Sequence, residues 1–182
     1  EPALNEAFRS ITHTKTNSAL VLRMWLARAM IQIAEATLFA FMLLWLTGVD
    51  GQVTDNDSAQ VFTFALIVSV PIALLVGRWS DQHGRPIQPL AITAGGGSIG
   101  LILMAFADSA FEGIAGFILF AVMTGVFLSL HSSQTLRVLP RPQTRGRDLG
   151  IFNLTNTLPS MAMPWLTLSL VPTFGFSVLF LF

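Results

Sequence analysis

The sequence contains no cysteine, which excludes a disulfide framework and a thiolate metal site and leaves the redox compartment unreadable. Charge is almost as scarce. Only 11% of the 182 residues are Asp, Glu, Lys or Arg and 53% are hydrophobic, whereas an average soluble domain carries roughly 25% charged residues. Most of such a chain faces something other than water, so it reads as an integral membrane protein. Catalytic constellations are missing as well. His13, His83 and His131 fall in separate segments, no metal-ligand cluster is present, no Gly-rich phosphate loop follows a strand, and no Ser-His-Asp set has persuasive spacing. Neither an enzyme activity nor a cofactor is expected. The first 18 residues are polar and lack the apolar core of a cleavable signal peptide. The chain opens on Glu1 rather than Met and stops at Phe182 inside an apolar run, which reads as an internal fragment of a larger protein.

What the chain does have is long apolar runs. A helix of about 20 residues at 1.5 Å rise crosses the ~30 Å hydrocarbon layer. On that measure a polar lead-in over 1–18, read as a cytoplasmic linker or surface helix, precedes a six-helix half-bundle over 19–182. Its expected spans are about 24–47, 59–76, 87–107, 112–131, 149–171 and 175–182, five complete and one in part. The predicted fold class is all-α, a polytopic transmembrane helical bundle. Pro71 is expected to kink the second span, and Pro159 and Pro164 to free carbonyls in the fifth. In the third, Gly96-x-x-x-Gly100 predicts close approach of a neighbouring helix.

Charge placement supports the segmentation independently. Cytoplasmic loops carry an excess of Lys and Arg, and all ten basic residues crowd alternate connections. Arg9, Lys15, Arg23 and Arg28 precede or begin span one, Arg78 and Arg85 lie between spans two and three, and Arg137, Arg141, Arg145 and Arg147 lie between four and five. The intervening loops hold Asp50, Asp55, Asp57, Asp108 and Glu112 instead. The N-terminus is therefore expected on the cytoplasmic side. Topology accounts for the basic residues, so no nucleic-acid partner is expected.

Between spans two and three stands Gly77-Arg78-Trp79-Ser80-Asp81-Gln82-His83-Gly84-Arg85-Pro86. Its charges, glycines and proline argue against a continuing membrane helix and for a tight loop at the membrane surface, with Gly84 left-handed and Pro86 in the first turn of the next helix. The pattern Gly77-x-x-x-Asp81-x-x-Gly84-Arg85, set between two spans of membrane length, closely resembles the signature loop of the major facilitator superfamily. That resemblance implies half of a twelve-helix fold built from inverted three-helix repeats, with a substrate site between the halves near the midplane. The fourth span lacks an early Arg that the family's first half often carries, and the fifth lacks a Gly-Pro pattern of family antiporters. Gly146-Arg147-Asp148-Leu149-Gly150-Ile151-Phe152-Asn153, followed by Leu158-Pro159, looks like the eleventh helix of bacterial members. The resemblance thus implies the C-terminal half, helices seven to twelve, in a bacterial inner membrane, with the N-terminal half of the same polypeptide as a partner beside the lipid bilayer.

Glu35 is the main ionisable candidate inside a span. A charged carboxyl exposed to lipid is costly, so it should face a cavity or a partner. Arg28, Gln32 and Glu35 recur at i, i+4 and i+7 on one helix face, which the resemblance places on the central cavity. The functional reading is a proton or a polar solute group on Glu35, with Gln32 beside it and Arg28 at the cytoplasmic mouth; the structural one is a glutamate hydrogen-bonded between helices. Asn153, Asn156, Thr157, Ser160, Met163 and Thr167 form a second stripe, read as solute-lining or as interhelical bonding. Span four adds Thr124, Leu128 and His131 at i, i+4 and i+7; His131, a further candidate for substrate or proton binding, lies near the cytoplasmic end, where a solvated or gating histidine is expected. Trp25, Trp45 and Trp79 read as interface anchors, and Trp165 as a packing residue. In the resemblance Gly77, Arg78, Asp81, Gly84 and Arg85 form a conformational gate, and Arg147 and Asp148 are candidates for its reciprocal contact. The function this implies is a secondary transporter of a small solute by alternating access, expected to be a proton symport. The alternatives are a facilitator or multidrug-type exporter of lipophilic compounds, with Glu35 recognising a cation, and a non-transporting membrane receptor or assembly protein of the same fold.

Overall fold

The computed structural model describes residues 2–85, 87–138 and 145–181, with side chains described over 19–85, 87–135 and 146–181. Pro86, Arg137, Arg141 and Arg145 lie outside the residues so described. Among the described residues there are five helices and no strand: α1 Pro2–Val49, α2 Asp55–His83, α3 Ile87–Ala105, α4 Ala110–Val138 and α5 Arg145–Leu181. Each holds a stretch long and apolar enough to cross a membrane, the shortest being the 19 residues of α3, about 28 Å at the helical rise. The chain is an all-α polytopic membrane bundle.

Several helices run past the expected spans, α1 beginning at Pro2, α4 ending at Val138 and α5 reaching Leu181, and both ends of α2 show why. The first turns of α2 come from the acidic loop itself. Thr54 caps the helix by accepting from Asp57 N–H at 3.3 Å, and Asp57 Oδ2 accepts in return from Thr54 N–H at 2.9 Å. This capping box satisfies end donors that would otherwise be orphaned, so α2 starts at Asp55 rather than 59. At its other end α2 runs on through Gly77–His83, which the sequence placed in a loop. Polar residues end a span but not a helix, because the backbone bonds of an α-helix close within the helix in water as in lipid. The turn itself falls at Gly84, in the left-handed conformation at φ 62°, with its N–H on Ser80 O, as a C-terminal glycine cap requires. Pro71 sits inside α2 without ending it. In α5 the interruption is at Gly175, φ 73° and ψ 171°, rather than at a proline.

Helix direction follows from paired contacts. Trp25 of α1 meets Ile151 of α5, and Trp45 meets Phe180 beyond the Gly175 break, with rings edge-on at 5.0 Å. So α1 and α5 run parallel. The low and high ends of α2 meet the corresponding ends of α4, through Phe62 with Phe117 and Gly77 with Leu130. Helix α4 runs antiparallel to α1, with Gly113 under Trp45 and His131 against Met24.

Helix α4 is the hub, packing on α1, α2 and α3. Three glycines allow it. Gly113 leaves room for the Trp45 ring, Gly116 faces Gly100 of α3, and Gly125 faces Ser69 of α2. Lipid is as apolar as leucine, so membrane helices associate through close small-residue contacts rather than by hiding leucines. Large apolar side chains accordingly point outward on α2 and α5, as with Ile67, Leu74, Leu75 and Met161, and a buried apolar cluster forms at one end of the bundle while Val126, Phe127, Leu130 and Phe152 are buried elsewhere. Leu38, Met42, Trp45 and Leu46 of α1 meet Met104 and Ala105 of α3, Phe117 and Phe120 of α4 and Phe180 of α5. Trp45 is therefore 5% exposed and a core residue rather than an interface anchor. Trp165, expected to pack, is 70% exposed.

Candidate functional site

Helices α1, α2, α4 and α5 line a half-open cavity of about 350 Å³. Its polar wall is built by Gln32 and Glu35 of α1, Ser69 of α2, Thr124 of α4, and Asn156 and Ser160 of α5. The 3.6-residue period explains the grouping: Gln32, Glu35 and Phe39 follow one another at i+3 and i+4 along one face of α1, and Asn156 and Ser160 share a face of α5. Four of the residues singled out in the sequence, Gln32, Glu35, Asn156 and Ser160, thus meet across helices 120 residues apart in the chain.

Hydrogen bonding sets the character of this wall. Ser160 Oγ–H donates to Asn156 O at 2.7 Å and Ser69 Oγ–H to Leu66 O at 3.0 Å. Each hydroxyl has spent its proton on its own helix, and an oxygen lone pair remains to face the cavity. Thr124 Oγ1–H donates likewise to Ala121 O at 3.3 Å. The rest of the lining is largely aromatic. Phe62 meets Phe39 edge-on at 5.8 Å and Phe117 at 4.9 Å, and Phe120 completes the surface.

Arg28, His131 and Asn153 do not line the cavity. They lie towards the Gly84 end of the bundle. Asn153 is exposed, one turn before Asn156. His131, expected to be solvated, is 1% exposed. Its Nε2–H donates to Met24 O of α1 at 2.9 Å, its ring stacks on Phe127 at 5.4 Å, and Thr135 Oγ1 stands 3.3 Å from Nδ1. Arg28 Nη1 donates to Ser132 Oγ at 2.9 Å, while its buried Nε has no partner among the described residues. Trp25 Nε1–H donates to Ile151 O at 3.0 Å. These three bonds tie one turn of α1, Met24 to Arg28, to both α4 and α5. His131→Ala removes one tie and leaves a void. We expect a loss of about 2–4 kcal/mol, the usual range for truncating a large buried side chain, read as a lowered thermal unfolding midpoint in detergent.

The signature residues cluster around the Gly84 turn. Gly77 packs against Leu130 of α4, with room for a Cβ at 3.7 Å. Arg78, Asp81 and Arg85 are exposed, and Arg85 Nη1 donates to Gln88 Oε1 at 3.3 Å. His83 stacks on Trp79 at 4.9 Å. At the start of α5, Arg147 pairs with its own neighbour Asp148 at 3.2 Å.

Residues 24–182 match the model of the Major Facilitator Superfamily. The chain belongs to this superfamily. Two similar relatives are uncharacterized MFS-type transporters from the CDC 1551 / Oshkosh and H37Rv strains of Mycobacterium tuberculosis. Each is 28% identical over 159 residues, covering 86% of this chain and 35% of the relative. The chain therefore spans about a third of the length of the curated relatives it matches. No solved structure matches it. The stripe Thr124, Leu128 and His131 reached Thr124 of the lining, whereas sequence reasoning did not reach the aromatic residues or Ser69. Their only signal is a place on the same face as another polar residue, and an apolar span offers no contrast that marks a Phe as facing a cavity rather than lipid.

Proposed function

We propose that this chain is one half of a membrane transporter that moves a small solute by alternating access, with Glu35 as the group that couples solute to protons. The observation that carries the reading is the cavity itself. A carboxyl sits within a membrane span, across from the polar pair Asn156 and Ser160, in a space of ligand size. Intramembrane carboxyls mark ion and substrate pathways by default, because an unneeded one is costly to keep. Gln32, Asn156 and Ser160 would orient the solute. Arg28 and His131 would act from outside the cavity by holding α1 against α4 and α5.

On this reading the chain is the C-terminal half, helices seven to twelve, with the N-terminal half of the same polypeptide across the cavity. The membrane is a bacterial inner membrane, and the basic residues put the N-terminus and the Gly84 turn on the cytoplasmic side. Arg78, Asp81 and Arg85, with Gly77 and Gly84 shaping the turn, form the gate that holds the cytoplasmic side closed. Arg147 and Asp148 are its candidates for contact with the other half. A coupling of about 1–3 kcal/mol is ample to shift a balanced two-state equilibrium. Asp81→Asn is expected to shift that balance while solute affinity changes less. Labelling of cysteines placed in the cytoplasmic part of the cavity reads it, and unaltered labelling would count against the gate.

The transport reading is tested with the complete reading frame in liposomes loaded with a pH dye and challenged with sugars, organic acids, amino acids and lipophilic cations. Solute-dependent proton movement supports it. Labelled solute that equilibrates without proton movement would leave a facilitator, and no movement of any kind would favour a receptor or assembly role.

A further inference from the structure

The cavity is asymmetric in charge and in hydrogen-bonding sense, and both asymmetries point to one kind of ligand. We propose that it takes an organic monocation with a flat aromatic body, the charge at Glu35 and the rings among Phe39, Phe62, Phe117 and Phe120. This rests on the reading of the cavity as the solute site. Glu35 is the ionisable side chain of the lining, and among the described residues no Lys, Arg or His lines it. Arg28, two turns before Glu35 on α1, lies outside the lining, donates to Ser132 and forms no salt bridge with Glu35 among the described residues. His131 stands beyond the cavity, bonded to Met24 O. An anionic solute would thus meet a carboxylate with no cation in the lining to hold it.

Of the neutral groups, the amides of Gln32 and Asn156 offer donors and acceptors alike, and the hydroxyls lean towards a cation. Ser69 and Ser160 have donated their protons to their own helices and offer oxygen acceptors to the cavity. A sugar needs donors and acceptors all round its ring, and here most of the wall is hydrocarbon. That wall suits a delocalised cation instead. The negative faces and positive edges of aromatic rings favour edge-to-face contact with a flat aromatic and attract a cation over a face. Phe39, Phe62 and Phe117 are already linked edge to face in series. The volume, about 350 Å³, lies at the small end of the ~300–1,000 Å³ range of ligand pockets.

One carboxylate serving both ions has a mechanistic consequence. A proton on Glu35 neutralises the charge that holds the cation, so the site carries one or the other. Release of the proton accompanies binding of the cation, one for one, and no net charge is added to the site. Coupling is then exchange, in place of the symport expected from the sequence.

The test is equilibrium binding to the protein of the complete reading frame in detergent, using tetraphenylphosphonium and its anionic counterpart of the same shape, tetraphenylborate. The wild type is expected to bind the phosphonium and not the borate, and to release protons as it does so. Glu35→Gln is expected to weaken phosphonium binding by at least about thirtyfold, as for a charge pair losing one partner, and Glu35→Asp to restore most of it. Phe39→Ala, at an exposed ring whose loss leaves the core intact, is expected to weaken it about fivefold. Equal binding of the borate, or undiminished binding to Glu35→Gln, overturns the cation assignment, as does absence of phosphonium binding. Proton flux with a different solute class would then leave the transport reading standing, and flux with none would remove both.

Discussion

Glu35→Gln is expected to abolish accumulation of solute against a gradient while the protein stays folded. Glutamine keeps the shape and hydrogen-bonding capacity of the side chain but cannot take up or release a proton near neutral pH. A pH difference of one unit across the membrane is worth ~1.4 kcal/mol per proton, or about tenfold accumulation for each proton coupled. The whole of that tenfold should vanish in the variant, since among the described residues no other ionisable side chain lines the cavity. Downhill equilibration need not vanish with it. Accumulation under an imposed pH step, measured in liposomes beside equilibration without the step, separates the two. Unchanged accumulation would sink the assignment of Glu35 as the coupling group.

The second large effect belongs to the fold. A Cβ at Gly100 would stand 2.6 Å from Phe120 N and 2.8 Å from Gly116 O. Both are backbone atoms, so relief requires α3 and α4 to move apart along their shared length. Overpacking of a tight site costs about 1–3 kcal/mol, occasionally more, and here the close approach is itself what joins the helices. Gly100→Val is therefore expected to lower the unfolding midpoint sharply in detergent and to reduce the yield of folded protein. Gly95→Ala is the control. Nothing lies within 4 Å of a Cβ at Gly95, and alanine is the better helix former by about 0.5–1 kcal/mol. Equal midpoints for the two variants would contradict the close α3–α4 contact.

The contrast between these two glycines shows where sequence reasoning reaches and where it stops. The spacing Gly96-x-x-x-Gly100 announced a close contact correctly. It could not say that Gly100 meets backbone while Gly96 meets only the flexible side chain of Met123, because that depends on the partner helix. Gly116, the other half of the contact, stands in a span with no such motif. The same limit applied at the cavity. Glu35 and Gln32 were legible because a polar group in an apolar span is conspicuous, and Asn156 and Ser160 because they repeat at helical spacing.

Periodicity gives a face, though, and not what the face meets. Arg28 shares the face of Gln32 and Glu35, yet its long side chain reaches across to Ser132 and away from the cavity. His131 was read as solvated from its polar neighbours Ser132, Ser133 and Gln134, whereas its own ring points inward between Phe127 and Met24. Trp45 was read as an anchor because it lies near a span end, and the vacancy left by Gly113 draws it into the core. Composition locates spans well, since length and hydropathy decide them. Helix ends are decided by local backbone bonds such as the Thr54 box and the Gly84 cap, and so α2 extends past its apolar run at both ends.

The central claim is that the cavity between α1, α2, α4 and α5 is the solute site, and the absence of cysteine from this chain allows a direct measurement. Ser160 of the cavity wall and Leu75, exposed on α2 outside it, are each replaced by Cys in the complete reading frame freed of other cysteines. Both proteins are then treated in membranes with a water-soluble thiol reagent. Ser160→Cys should react, Leu75→Cys should not, and the solute found to drive proton movement should protect the former. A Ser160→Cys protein as inert as Leu75→Cys, or one labelled at the same rate with and without that solute, would contradict the account.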